Sequence, residues 1–216
     1  MLLSEKEYLH VLNMMRGETE PDPVFTGFRE FMRRTFKCEL YDYIVDKIDD
    51  ERGRLRYIVW DEETDESFFT RSETYYGRDS KKELMIKEAF SLLCRQENMH
   101  SDFHDPASYY ALPETIKDEL QKDIQKKVEK QISEYLNSLP IKKHAFFFES
   151  VHIFYKTDAD IVLHQKDGLS AEIEKTIYQI KKPFDEFGAL DDAGVVFSSI
   201  QTLNEKYDGN MFYYFR

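Results

Sequence analysis

A chain of 216 residues is long enough for one large domain or two of roughly 100 residues each, and either choice buries a real core. Hydrophobic residues at 41% and aromatics at 15%, among them 17 Phe and 14 Tyr, exclude disorder despite a charged content of 33%. A formal net charge of -12 repels nucleic-acid phosphate and anionic lipid, so nucleic-acid binding is disfavoured and a basic protein partner is favoured.

Ser4 and Glu7 form a capping box, and Tyr8, Val11, Leu12 and Met15 recur at helical spacing until Gly17, predicting a first helix. Pro21 and Pro23 break the chain, after which Phe25, Phe28, Phe31 and Met32 predict a second helix ending near Phe36. Residues 40–45 and 55–60 are rich in aromatic and β-branched types around a polar turn at 49–53, which predicts a hairpin. Residues 67–70 predict a further strand, and Leu84, Ile86, Phe90 and Leu93 a helix over 80–96. The stretch 98–112 has no period and reads as a linker. Pro113 then opens the longest helical pattern, which Pro140 stops. Residues 144–155 and 159–165 predict a second hairpin turning at Lys156-Thr157-Asp158. Ile173, Ile177, Ile180, Phe184 and Phe187 form one helical stripe, and 195–200 and 211–215 close the chain as strands.

Together these elements predict an α+β fold, an antiparallel or mixed sheet packed with helices. The preferred organisation is two similar helix–hairpin–helix lobes, 1–97 and 113–216, joined by the linker 98–112; one single domain is the alternative. Cys38 and Cys94 stand far apart in apolar settings and read as buried free thiols of a reducing compartment. No apolar run approaches the ~20 residues of a membrane span, and the opening residues lack a secretion-signal pattern. A cytoplasmic protein without membrane contact is therefore expected.

No catalytic motif of high specificity is present, and no cofactor is expected. The eight glycines fall into neither GxGxxG nor a phosphate loop, and no GxSxG surrounds a serine. His100, Asp102 and His104 supply ligand types for a divalent metal, but within one loop and at no zinc spacing, so a polar turn before Pro106 is favoured. Asp160, Gln179 and Lys181 follow the order of the acid, Gln and Lys that together hold Mg²⁺ and orient water in PD-(D/E)xK nucleases. The stripe through Ile177 and Ile180 instead predicts a helix where that chemistry needs a strand. His144, His152 and His164 read as structural imidazoles.

The acidic run Asp61, Glu62, Asp65 and Glu66, flanked by Trp60, Tyr75 and Tyr76 as aromatic anchors, is the candidate surface for a cationic partner; Asp191-Asp192 reads as a solvated turn. The closing segment, Val196-Phe197-Ser198-Ser199 through Asn204 to Asp208-Gly209-Asn210-Met211-Phe212-Tyr213-Tyr214-Phe215-Arg216, resembles the last strand, turn and strand of cytoplasmic immunity proteins from bacterial polymorphic-toxin systems. That resemblance implies no catalytic residue. It implies a binding protein whose acidic surface occludes the active site of a cognate toxin. A phage or mobile-element regulatory protein and a Mg²⁺-dependent nuclease-like enzyme are the alternatives.

Overall fold

The structure, a computed structural model, describes residues 3–47, 53–71, 76–99 and 109–216. The chain divides into two compact units, Met1–Lys117 and Asp118–Arg216, each combining helices with a small mixed sheet in an α+β fold.

In the first unit α1 (Glu5–Arg16) starts at the capping box of Ser4 and Glu7 and ends at Gly17 in the left-handed conformation. In α2 (Pro23–Phe36), Asp22 caps the first turn and Pro23 fills a position whose N–H would have no helical partner. β1 (Asp42–Lys47) and β2 (Gly53–Val59) pair antiparallel. A short helix α3 (Glu62–Glu66) and a two-stranded ribbon, β3 (Phe69–Arg71) with β4 (Tyr76–Arg78), lead into α4 (Ser80–Gln96). β5 (Tyr109–Thr115) then returns parallel to β2, giving the order β1-β2-β5. Alternation along β2 turns Leu55, Tyr57 and Val59 toward Phe28 and Met32 of α2 and Ile86 and Phe90 of α4. Each such buried side chain contributes about 1.5–3 kcal/mol. The helices approach closely because Gly27 has no side chain: a Cβ there would lie 2.5 Å from Leu93 Cδ2.

The second unit repeats this frame. α5 (Lys117–Leu136) precedes the antiparallel pair β6 (Lys143–Phe147) and β7 (Ser150–Tyr155). α6 (Asp158–Lys166) and α7 (Leu169–Lys181) follow, and β8 (Val195–Ser199) returns parallel to β7, giving the order β6-β7-β8. Val151 and Ile153 of β7 pack with Val128, Ile132 and Leu136 of α5 and Ile173 and Ile177 of α7. α8 (Ile200–Tyr207) and the single turn α9 (Met211–Tyr214) end the chain.

Four expectations are corrected. Residues 159–165 lie in α6, not a strand, because Thr157 and Asp160 form a capping box that overrides the β-branched Ile161-Val162; the hairpin turn sits earlier, at Phe148-Glu149. Residues 211–214 are helical, with Asn210 accepting from the Phe212 N–H, so the closing segment is strand, helix and helix rather than strand, turn and strand. Pro113 lies inside β5, where the parallel register turns its missing N–H outward from the sheet, and the long helix begins at Lys117. The boundary between units therefore falls after Lys117, and residues 109–112 belong to the first sheet rather than to a linker.

Candidate functional site

The anticipated partner surface is only partly a free surface. Residues 62–66 form α3, and the Asp61 carboxylate is occupied at its start, accepting from the Thr64 N–H at 3.0 Å and hydroxyl at 2.8 Å. Burial works against its ionised form, but these bonds outweigh it and hold the carboxyl below its ordinary range. The half-buried Trp60 ring packs against Tyr41 at 5.6 Å. Glu66 is exposed, while Glu62 and Asp65 in α3 and Tyr76 in β4 are described by backbone alone. Tyr75 and the candidate metal ligands His100, Asp102 and His104 lie outside the described residues. Among those described, no group of three or more His, Cys, Asp or Glu is placed to hold a metal ion.

The nuclease-like trio is not assembled. Asp160 sits in the first turn of α6, bonded to Thr157, and Gln179 is exposed on α7. Lys181, at the end of α7, is buried and donates to the backbone carbonyls of Glu149 at 3.0 Å and Ala193 at 2.8 Å. It thereby ties the Phe148-Glu149 turn to the segment entering β8. Burial pulls its ammonium down to about 8, with Asp192 and Glu149 pulling it back up. Gly194 makes this close approach possible: its φ is +61°, and a Cβ would meet Glu149 O at 2.9 Å and Lys181 Nζ at 3.2 Å.

Around this fastening the second unit has a concavity. A recess of about 340 Å³ lies between α7 and the start of β8, walled by Glu174, Lys175, Tyr178, Asp191, Asp192 and Val195. A cleft of about 110 Å³, floored by Lys181 and flanked by Glu149, shares Asp191, Asp192 and Gly194 with it. The walls are built rather than loose: Gln121 Nε2 donates to Ala189 O at 2.7 Å, the Ala189 N–H to Asp185 at 2.6 Å, and the Gly194 N–H to Asp192 at 2.6 Å. Beside the cleft the turn presents Phe148, 60% exposed and at a positive φ of 52°, a conformation that costs a bulky residue free energy and gathers at functional sites. Its ring is steadied by Phe147 at 4.4 Å and by Lys122 at 5.4 Å. With three carboxylates against the single lysine Lys175, the recess can take a long cationic side chain.

Two other polar clusters among the described residues are internally satisfied. At the opposite end of β7 and β8, where open α/β sheets commonly bind ligands, Asp158 accepts from the Ser199 and Thr202 hydroxyls. In the first unit, a recess along α2 is lined by Arg29 and Arg33, both bonded to Glu39. The sequence named Lys181 for a different chemistry and Asp191-Asp192 as a turn. A lone lysine on an apolar helical stripe, and a glycine two residues after Asp192, were the available signals. Comparison with protein-family models, curated proteins and solved structures finds no match.

Proposed function

We propose that this chain is a protein-binding inhibitor, of the immunity kind, which occludes a functional site on a cationic partner protein. The observation that supports this reading is the recess walled by Glu174, Asp191 and Asp192 along with Lys175, continuous through Asp191, Asp192 and Gly194 with the cleft that Glu149 flanks. Its volume of about 340 Å³ is ample for a long basic side chain. The overall charge of -12 steers a basic partner toward it. The action is assigned to the cytoplasm, where burial keeps the thiols of Cys38, raised to about 12, and Cys94, raised to about 11, protonated.

The test is capture of the partner by the tagged full chain at low and high salt, alongside a variant carrying Asp191→Lys and Asp192→Lys. A basic protein held at low salt, released at high salt, lost by the variant and inhibited in its own activity by the wild-type chain supports the reading. A partner that the variant retains equally well, or one that stays active in the complex, refutes it.

A further inference from the structure

The two units carry one frame, and the first shows what the outer edge of its third strand requires. In each, the residue two past the third strand donates its N–H to the residue just past the central one: Lys117 to Trp60 O at 2.9 Å, Gln201 to Lys156 O at 3.3 Å. Counting back from these bonds, Ala111 of β5 corresponds to Val195 of β8, and Pro113 to Phe197. The registers agree, pairing Leu55 with Ala111 and Val151 with Val195. The Val151 N–H donates to Gly194 O, so residues 194, 196 and 198 turn their backbone groups toward β7, and Val195 and Phe197 turn theirs outward.

In β5 this outward row is closed. Arg78 donates Nη1 to the Ala111 carbonyl at 2.7 Å, and Pro113 has no N–H to leave unpaired. In β8 the corresponding row is intact, with N–H and C=O at both Val195 and Phe197. Among the described residues β8 is the last strand of its sheet. The recess with Glu174, Asp191 and Asp192 opens at the start of this row, and Val195 is part of its wall. Where the first unit supplies its own guanidinium, no side chain among the described residues donates to the Val195 carbonyl, and the carboxylates of Asp191, Asp192 and Glu174 stand in the wall it shares.

We infer that the outer edge of β8 receives an extended, arginine- or lysine-bearing segment of the partner protein as a fourth strand, hydrogen-bonded to Val195 and Phe197 with a basic side chain in the recess. This deepens the inhibitor reading and rests on it: strand addition supplies the backbone bonds, and the acidic pocket selects a cationic side chain at one register. A second copy of this chain is the poorer occupant, because pairing two β8 edges brings together surfaces that both carry Asp191, Asp192 and Glu174.

The test is amide hydrogen exchange, followed by NMR on the full chain, with an acetylated and amidated octapeptide of alternating Thr and Arg as the probe and the matching Thr/Glu octapeptide as control. At saturation the amides of Val195 and Phe197 slow at least about tenfold, while those of Val196 and Ser198, already directed to β7, are unchanged. Neither the Thr/Glu peptide nor the variant with Asp191→Lys and Asp192→Lys gives this alternation. Thr/Arg binding that perturbs Glu174, Asp191 and Asp192 without slowing Val195 and Phe197 overturns strand addition and leaves the inhibitor reading standing. Absence of Thr/Arg binding overturns both. Equal protection by the Thr/Glu peptide overturns the choice of a basic segment, and concentration-dependent protection without any peptide makes a second copy the occupant and overturns the inference.

Discussion

The outer faces of the two sheets are covered by opposite chemistry on one frame. In the first unit the centre of that face is Arg56, its guanidinium held by Glu7 of α1 and by Glu114 at 3.4 Å and Asp46 at 3.3 Å. Nearby, His10 of α1 reaches the buried Asp42 at 3.4 Å. At the corresponding place in the second unit stands His152, against Tyr214 and Phe215 of the closing segment, with Nδ1 at 3.1 Å from the Tyr214 hydroxyl. Phe215 also stacks on Phe147 at 4.3 Å, and Tyr214 meets Phe154 edge to face at 5.1 Å. A charged cover fixes orientation through a few directional bonds whose loss strands a buried charge. An aromatic cover spreads its stabilisation over many contacts, and losing one costs little. The electrostatics of the first face reflect that strain: burial pushes Glu114 up against the pull of Arg56, whereas on Glu7 the opposing effect of burial is outweighed by the Ser4 bonds and Arg56, which hold it down.

Arg56→Met is the largest single way to break this contrast. It leaves Glu114, with 5% of its side chain exposed, without its cation, and is expected to cost about 3–5 kcal/mol in urea unfolding. Adding Glu114→Leu should recover a large part, as an apolar replacement of both partners is far cheaper than half a pair; no recovery would mean that Arg56 acts through packing instead.

Lys181→Met comes next, at about 1–3 kcal/mol near neutral pH, because two carbonyls lose their donor. Its pH dependence has a definite sign. The folded ammonium titrates at about 8 against an ordinary 10.5, so the folded state binds fewer protons between these values. The penalty on the ammonium is fully present below about pH 8 and fades above it, and wild type should gain stability over the variant from about pH 8 to about pH 10.5. A difference that is flat or shrinks with pH would contradict a buried, desolvated amine. Phe215→Ala is the smallest effect, about 1 kcal/mol, from the lost stack on Phe147; a loss as large as that of Arg56→Met would erase the contrast between the two covers.

Local chemistry made much of this fold readable. The capping box at Ser4 and Glu7, Gly17, Pro23 and the apolar stripes of α4 and α7 delimit helices without help from elsewhere in the chain. What escaped was non-local or disguised. β5 and β8 pair with strands more than forty residues back, which no local pattern encodes. The β6–β7 turn carries phenylalanine in a conformation that glycine or asparagine would have advertised. The aromatic run at 211–215 has strand composition, yet it lies across a sheet face instead of joining an edge. The recess was hidden for the same reason: Glu174, Asp191 and Lys181 meet only because β8 returns beside β7 and Gly194 admits the lysine.

The most direct measurement is calorimetric titration of the wild-type chain with the alternating Thr/Arg octapeptide at low and high salt, repeated with Asp191→Lys and Asp192→Lys. The expected result is saturable one-to-one binding that weakens as salt rises and is lost in the variant. Binding that is indifferent to both salt and the two substitutions would contradict an acidic recess built for a cationic partner.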